Sequence, residues 1–275
     1  MARLCSIFIA IVVSVYTVAL SSQSPAPLKV SPTLAVTDPG SWKSIQKGID
    51  FRKLVLERAE PSYAIELKLI RFDTERFEPR LLRGSQFQLK GMDVKTFAEK
   101  SGAIAAINAS YFDTEGKPLA FLKVGGQVIN SRVAMNSLYT GAFAVKDRQP
   151  SISHRDDLRP EQIDEGLQSG PLLLLGGAAQ TVTGISNRAS RRALIGIDKE
   201  RRLIIGATFN LIGGLLWPEL QEIFSAAALQ IQTVDLLNLD GGGSAQFYIK
   251  AGKFEALVPG TTEVPVAIGI FSKGN

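Results

Sequence analysis

The chain has 275 residues and 45% apolar content, enough for one large domain with a substantial core, which excludes a wholly disordered polypeptide. Its 31 Lys and Arg against 26 Asp and Glu leave a formal charge of +5 with no basic block, so nucleic acid is not an expected partner. One histidine and one cysteine exclude Cys/His zinc patterns, HExxH helices and CxxC redox pairs. Any chemistry falls to carboxylates, hydroxyls, amides, Arg or Lys and backbone groups, with no cofactor and no metal expected.

Residues 1–21 read as a secretory signal peptide: a basic start at Arg3, an apolar run from Ile7 to Leu20, and small residues at Ala19, Ser21 and Ser22. An uncleaved anchor is the alternative, since Leu4 to Leu20 is just long enough to span a bilayer, and it would be the chain's only expected tie to a membrane. Cleavage would remove Cys5 and leave a cysteine-free protein folding outside the cytoplasm, in a bacterial periplasm or the extracellular space. The Pro- and Ser-rich stretch that follows reads as a linker over residues 22–48, ahead of one domain over 49–275.

Within the domain, short apolar runs bounded by Gly, Pro and polar pairs predict strands at Lys53–Glu57, Tyr63–Phe72, Ala103–Asn108, Ala120–Val124 and Ala142–Lys146. Further strands are expected at Leu172–Leu175, Ala193–Asp198, Leu203–Thr208, Val234–Leu239, Gln246–Lys250 and Val264–Phe271. Gly125-Gly126, Asp198–Arg201 and Ala251-Gly252 suit hairpin turns. Helices are fewer. Asp93 is placed to cap one running to Lys100 with Gly102 as its stop, and Pro218 opens a second whose apolar positions recur from Leu220 to Ile231. The expected fold is therefore α/β of the α+β type: one domain with a mixed, largely antiparallel sheet and a few packed helices.

Chemistry concentrates in four places. In Asn238-Leu239-Asp240, alternation sends Asn238 and Asp240 to one side, and Gly241, Gly242, Gly243 and Ser244 then offer backbone N–H groups and a hydroxyl to an anion. The absence of a following Gly-Lys-Ser/Thr, and of a helix, excludes a P-loop and a dinucleotide fingerprint; a tight glycine turn is the bland alternative. The second place is the loop presenting Asn108, Tyr111 and Asp113, where an aromatic beside amides and a carboxylate suits a sugar, or forms an Asx turn. Ser169-Gly170-Pro171 precedes a buried strand, and Arg188, Arg191 and Arg192 stand at the mouth of another, where guanidinium forks match phosphate oxygens. His154 lies in a polar stretch and reads as a surface loop residue.

In this order, Asn108 to Asp113, Ser169 to Pro171, Arg192 before a strand ending in Gly-Ile-Asp, and Asn238 to Ser244 resemble the phosphodiester glycosidase family from about Ala103 to Ile270. Bacterial members are often labelled exopolysaccharide-related proteins. Ala109-Ser110 and Ala193 depart from the family pattern, which commonly has a glycine before the Tyr and a hydroxyl residue after the Arg. The resemblance implies a hydrolase that cleaves a sugar-1-phosphodiester at the glycosidic bond, its partner being a glycosyl phosphodiester or phospho-glycan. Asp240 and Asp113 would be the catalytic carboxylates, Arg192 would stabilise the phosphate, and Asn108, Tyr111 and Asn238 would orient sugar or water. Two rivals use the same loops: a non-catalytic envelope protein that binds glycan, and a metal-assisted phosphodiesterase.

Overall fold

The computed structural model describes residues 27–186 and 188–274, and the expected signal segment lies outside them. A ten-stranded sheet runs in the order Leu28–Ser31, Leu34–Asp38, Ile49–Arg58, Tyr63–Phe72, Leu203–Phe209, Ala193–Asp198, Thr233–Asn238, Leu172–Leu175, Ala178–Ala179, with Lys43–Gln46 paired to Ile49–Arg58. Two five-stranded sheets accompany it. One is ordered Gln149–His154, Gly141–Lys146, Glu165–Ser169, Leu122–Val124, Gln127–Asn130; the other Phe254–Val258, Phe247–Ala251, Ala105–Asn108, Val266–Ser272, Phe77–Arg83. Every pairing among the described strands is antiparallel.

Alternation along the strands divides the interior. Ile195, Ile205 and Leu237 face a core shared with Phe143, Leu167, Phe247 and Ile268 of the smaller sheets, whereas their neighbours Leu194, Ile204 and Leu236 face the opposite side. There the helix Trp217–Ser225 covers the ten-stranded sheet through Leu220, Ile223 and Phe224. The helix Val94–Ser101 does the same for the third sheet, burying Val94, Phe97 and Ala98 against Ala106, Tyr248 and Ala267. Its ends are as the sequence dictates: the Asp93 carboxylate accepts from Thr96 N–H at 2.9 Å, and Gly102 closes it in the left-handed conformation.

The expectation of an α/β protein with packed helices is corrected to a β-rich, antiparallel single domain, because only two α-helices occur among the described residues. The linker expected to reach residue 48 is corrected too. Leu28, Leu34, Val36 and Ile49 pack with the sheet, and three strands form before Ile49 despite the prolines, which fall outside them. The second helix stops at Ser225 rather than running to Ile231. A short 3₁₀ turn at Ala227–Leu229 then delivers Ile231 to the same apolar layer. Phe77–Arg83 was not apparent because Pro79 and its charges break the pattern; it is an edge strand, where a missing N–H is tolerated. His154 ends a strand rather than sitting in a loop, and its Nδ1 accepts from Asp156 N–H.

Candidate active site

Antiparallel pairing brings distant loops to one edge of the large sheet. Leu194 lies opposite Asn238, and Leu239 N–H donates to the Ala193 carbonyl at 2.9 Å, so Arg192 and Asp240 leave adjacent strands side by side. On the other flank Asn238 N–H bonds the Pro171 carbonyl at 3.1 Å, and Asp240 N–H reaches the Ala109 carbonyl at 3.0 Å. The result is a cavity of about 410 Å³ walled by Tyr111, Leu138, Ile185, Trp217 and the Gly241-Gly242 backbone, with Arg192 and Asp240 as its charged groups.

Arg192 is held as a rigid fork. Its Nε donates to the Leu215 carbonyl at 2.8 Å and Nη2 to the Arg188 carbonyl at 2.7 Å, while the guanidinium carbon lies 3.3 Å from the centroid of Trp217. Burial lowers its pKa to about 10, with Tyr111 and Glu219 opposing the shift. It remains a cation at neutral pH.

Burial likewise pushes the Asp240 carboxyl up to about 6, against hydrogen bonds from the Ser244 hydroxyl and Gly241 N–H that hold it down. The sign of the resulting pH dependence follows. Between the ordinary carboxyl range and about pH 6 the folded state keeps a proton the unfolded state has lost, so stability falls as pH rises through that window and stays lower above it. Asp240→Asn should therefore be more stable than the parent at pH 8, by about 1–2 kcal/mol after allowing for solvent at a partly buried carboxyl, with the difference vanishing below about pH 4. Urea denaturation of both proteins at the two pH values checks this; a pH-independent difference would contradict it.

Several residues expected to touch substrate are instead architecture. Asn108 is fully buried; its amide donates to the Asp240 carbonyl at 2.8 Å and accepts from Gln246 N–H at 3.0 Å, fixing both ends of the glycine loop. Asn238 is also fully buried, and its Nδ2 donates to the Tyr111 hydroxyl at 3.1 Å and the Gly170 carbonyl at 2.9 Å. Tyr111 donates to that same carbonyl at 2.8 Å, so its ring, not its hydroxyl proton, is offered to the cavity. Burial raises the Tyr111 pKa, and the Asp240 charge adds to the rise. Ser169 is buried at a strand end, away from the cavity lining, with no protein partner for its hydroxyl; Gly170 contributes the accepting carbonyl only.

The glycine loop does not present a row of donors. Gly242 N–H is taken by the Arg191 carbonyl at 2.9 Å, Ser244 N–H by the Gly241 carbonyl at 3.1 Å, and Gly241 N–H by Asp240. Glycine is required at 242 by a φ of 59°, and at 243 because a Cβ would meet the Thr261 and Thr262 hydroxyls at 2.7 Å. Arg191 is spent on the loop too, its Nη2 bonding the Ala245 and Pro259 carbonyls.

Asp113 is not brought to Asp240. Its carboxylate closes an Asx turn, accepting from Glu115 and Lys117 N–H at 2.9 Å each, and it lines a separate cavity of about 660 Å³ with Lys90, Phe112 and Thr262. The expected second carboxylate is therefore absent from this cavity, whose lining holds one carboxylate, Asp240, and one arginine, Arg192. Among the described residues no three His, Cys, Asp or Glu side chains group as metal ligands. The sequence reading missed Trp217, Leu138 and Ile185 in the cavity wall, and also Tyr139. The Tyr139 ring meets Tyr111 edge-on at 5.5 Å, and burial, followed by the Asp240 charge, pushes its pKa up to about 12.

Among curated proteins none matches this chain. Solved structures do, at low identity. The catalytic domain of zebrafish N-acetylglucosamine-1-phosphodiester α-N-acetylglucosaminidase, auto-inhibited by its pro-peptide, is similar with a TM-score of 0.64 and 15% identity over 88% of this chain and 89% of that one. A hypothetical protein from Synechocystis is similar with a TM-score of 0.61 and 14% identity over 86% of this chain and 64% of that one. These likenesses establish a shared fold. The family model for phosphodiester glycosidase matches residues 101–271, a span that includes all four motifs, and the chain therefore belongs to the phosphodiester glycosidase family.

Proposed function

We propose that this protein is an exported hydrolase that cleaves a sugar-1-phosphodiester at the glycosidic bond, releasing free sugar and a phosphate monoester. The observation that carries the reading is the presence of a single carboxylate and a single fixed arginine in one cavity walled by aromatic and aliphatic side chains. Most glycosides need a second carboxyl group to protonate a poor leaving group. From a sugar-1-phosphodiester a phosphate monoester departs as a stable anion, so one carboxylate and one cation suffice. In the reaction Asp240 takes a proton from water as the water oxygen bonds the anomeric carbon. The bond from that carbon to the phosphate oxygen breaks, and its electron pair stays on the phosphate beside Arg192. Tyr111 and Trp217 supply ring surface for the sugar, and Trp217 holds the arginine plane. The similar zebrafish protein is named for action on an N-acetylglucosamine-1-phosphodiester, which supports the bond class. Export rests on residues 1–21.

The test is incubation of the purified protein with a panel of sugar-1-phosphodiesters, followed by ³¹P NMR and reducing-sugar assay. Free sugar with a phosphate monoester is expected. The rate should be unchanged by EDTA and should fall about tenfold per pH unit well below pH 6, as Asp240 takes up its proton. Release of sugar-1-phosphate would make the protein a phosphodiesterase, and loss on chelation restored by a divalent ion would turn Asp240 into a metal ligand. Saturable binding without turnover would favour the glycan-binding reading.

A further inference from the structure

The rim of the cavity combines two properties. Leu211 is 93% exposed, Ile212 57% and Met135 66%, the three most exposed large apolar side chains among the described residues. All three project from loops that wall the cavity. Met135 precedes Leu138. Leu211 and Ile212 lie in the Asn210–Leu216 loop, whose Leu215 carbonyl holds Arg192 and whose next residue after the loop is Trp217. That loop is fixed in shape: the Asn210 amide donates to the Ile212 and Gly213 carbonyls at 2.9 and 3.0 Å, Gly214 N–H donates to the Tyr63 hydroxyl at 3.2 Å, and Leu215 bridges to Ser190. The apolar tip is thus presented, not left over from an unformed segment.

The second property is charge. The loops around the cavity carry Arg132, Arg188, Arg191 and Arg192, the cavity lining itself holds the single carboxylate Asp240, and Glu66, opposite Phe209 beside the tip, is paired with Lys53 and Lys68. Arg132 and Arg188 are exposed. An apolar tip beside exposed arginines, with the one lining carboxylate set inside the cavity, is complementary to one partner above others: a surface whose interior is hydrocarbon and whose face is anionic.

We propose that this rim is a membrane-contact surface, with Leu211 and Ile212 entering the headgroup region of an anionic lipid bilayer and Arg132 and Arg188 lying on its phosphates. On the activity read for the cavity, this contact brings the Asp240–Arg192 pair to the layer where phosphodiesters are displayed; the contact itself does not depend on that activity.

Sedimentation of the purified protein with vesicles of phosphatidylglycerol and phosphatidylcholine tests it. Binding is expected, weakened by added salt and by omission of phosphatidylglycerol. The double variant Leu211→Ser, Ile212→Ser should lower vesicle partitioning by about tenfold or more while leaving hydrolysis of a soluble sugar-1-phosphodiester and the circular dichroism spectrum unchanged. Arg132→Gln with Arg188→Gln should remove most of the preference for the anionic lipid. Absence of binding by the parent protein at low salt, or equal partitioning of the parent and the serine variant, would overturn the proposal. So would sedimentation velocity showing that the serine variant abolishes a dimer instead, since the tip would then be an interface between two copies of this chain. A protein that binds vesicles but hydrolyses nothing would leave the surface standing and remove only the catalytic reading.

Discussion

Asp240→Asn should yield a folded protein whose turnover of a sugar-1-phosphodiester is lower by about 10²-fold or more. The substitution preserves shape. It also preserves the backbone bonds that fix the residue, Asp240 N–H to Ala109 and the Asp240 carbonyl to the Asn108 amide, so the loop geometry has no reason to change. What is lost is the negative charge and the capacity to take a proton. In the described structure no second carboxylate lines this cavity to substitute for it. The expected gain in stability at pH 8 gives the experiment an internal control, because a variant inactive through misfolding would be destabilised. Activity near that of the parent in a folded Asp240→Asn would remove the residue from the chemistry and leave the glycine motif as a turn.

Arg192→Ala should lower kcat/KM for phosphodiesters by about 10- to 100-fold and leave hydrolysis of an activated neutral aryl glycoside, where measurable, much less affected. The asymmetry follows from the proposed partner, since only the phosphate carries the charge the guanidinium would meet. The side chain is also a structural cation: it rests on Trp217 and satisfies the Leu215 and Arg188 carbonyls. Arg192→Lys is therefore the companion variant, retaining charge without the planar fork, and should fall between the parent and the alanine variant. An equal loss on charged and neutral substrates would show that the arginine acts on the architecture of the cavity and not on the leaving group.

The sequence was informative where chemistry and backbone demands coincide. The segment from Asn238 to Ser244 is legible because an apolar strand ends in a carboxylate and three glycines follow; Arg192 is legible because it precedes an apolar strand ending in Gly-Ile-Asp. Asp113 misled because an Asx turn uses the same residue types as a sugar site, and only the N–H groups of Glu115 and Lys117 show where its charge is spent. Asn108 and Asn238 misled in the opposite direction. Buried amides that join loops look, in sequence, like amides that greet a substrate. Trp217, Leu138 and Ile185 were beyond reach, since an apolar side chain announces a core and nothing local tells which core has an opening. Their convergence depends on pairings such as Ser190 with Leu215, which no short-range pattern encodes.

The position of Val266–Ser272 between Ala105–Asn108 and Phe77–Arg83 bears on how the molecule is made. Two early segments cannot pair with each other across that gap. They wait, with unbonded ladder groups and an apolar face, until a strand more than 150 residues later arrives. The large sheet repeats the arrangement, Tyr63–Phe72 pairing with Leu203–Phe209. Contacts of such long sequence separation make folding slow and keep these early segments open until Val266–Ser272 is available. A chain built in this way stays threadable and protease-sensitive during synthesis, and removal of Val266–Ser272 should leave an aggregation-prone intermediate in place of a smaller working domain.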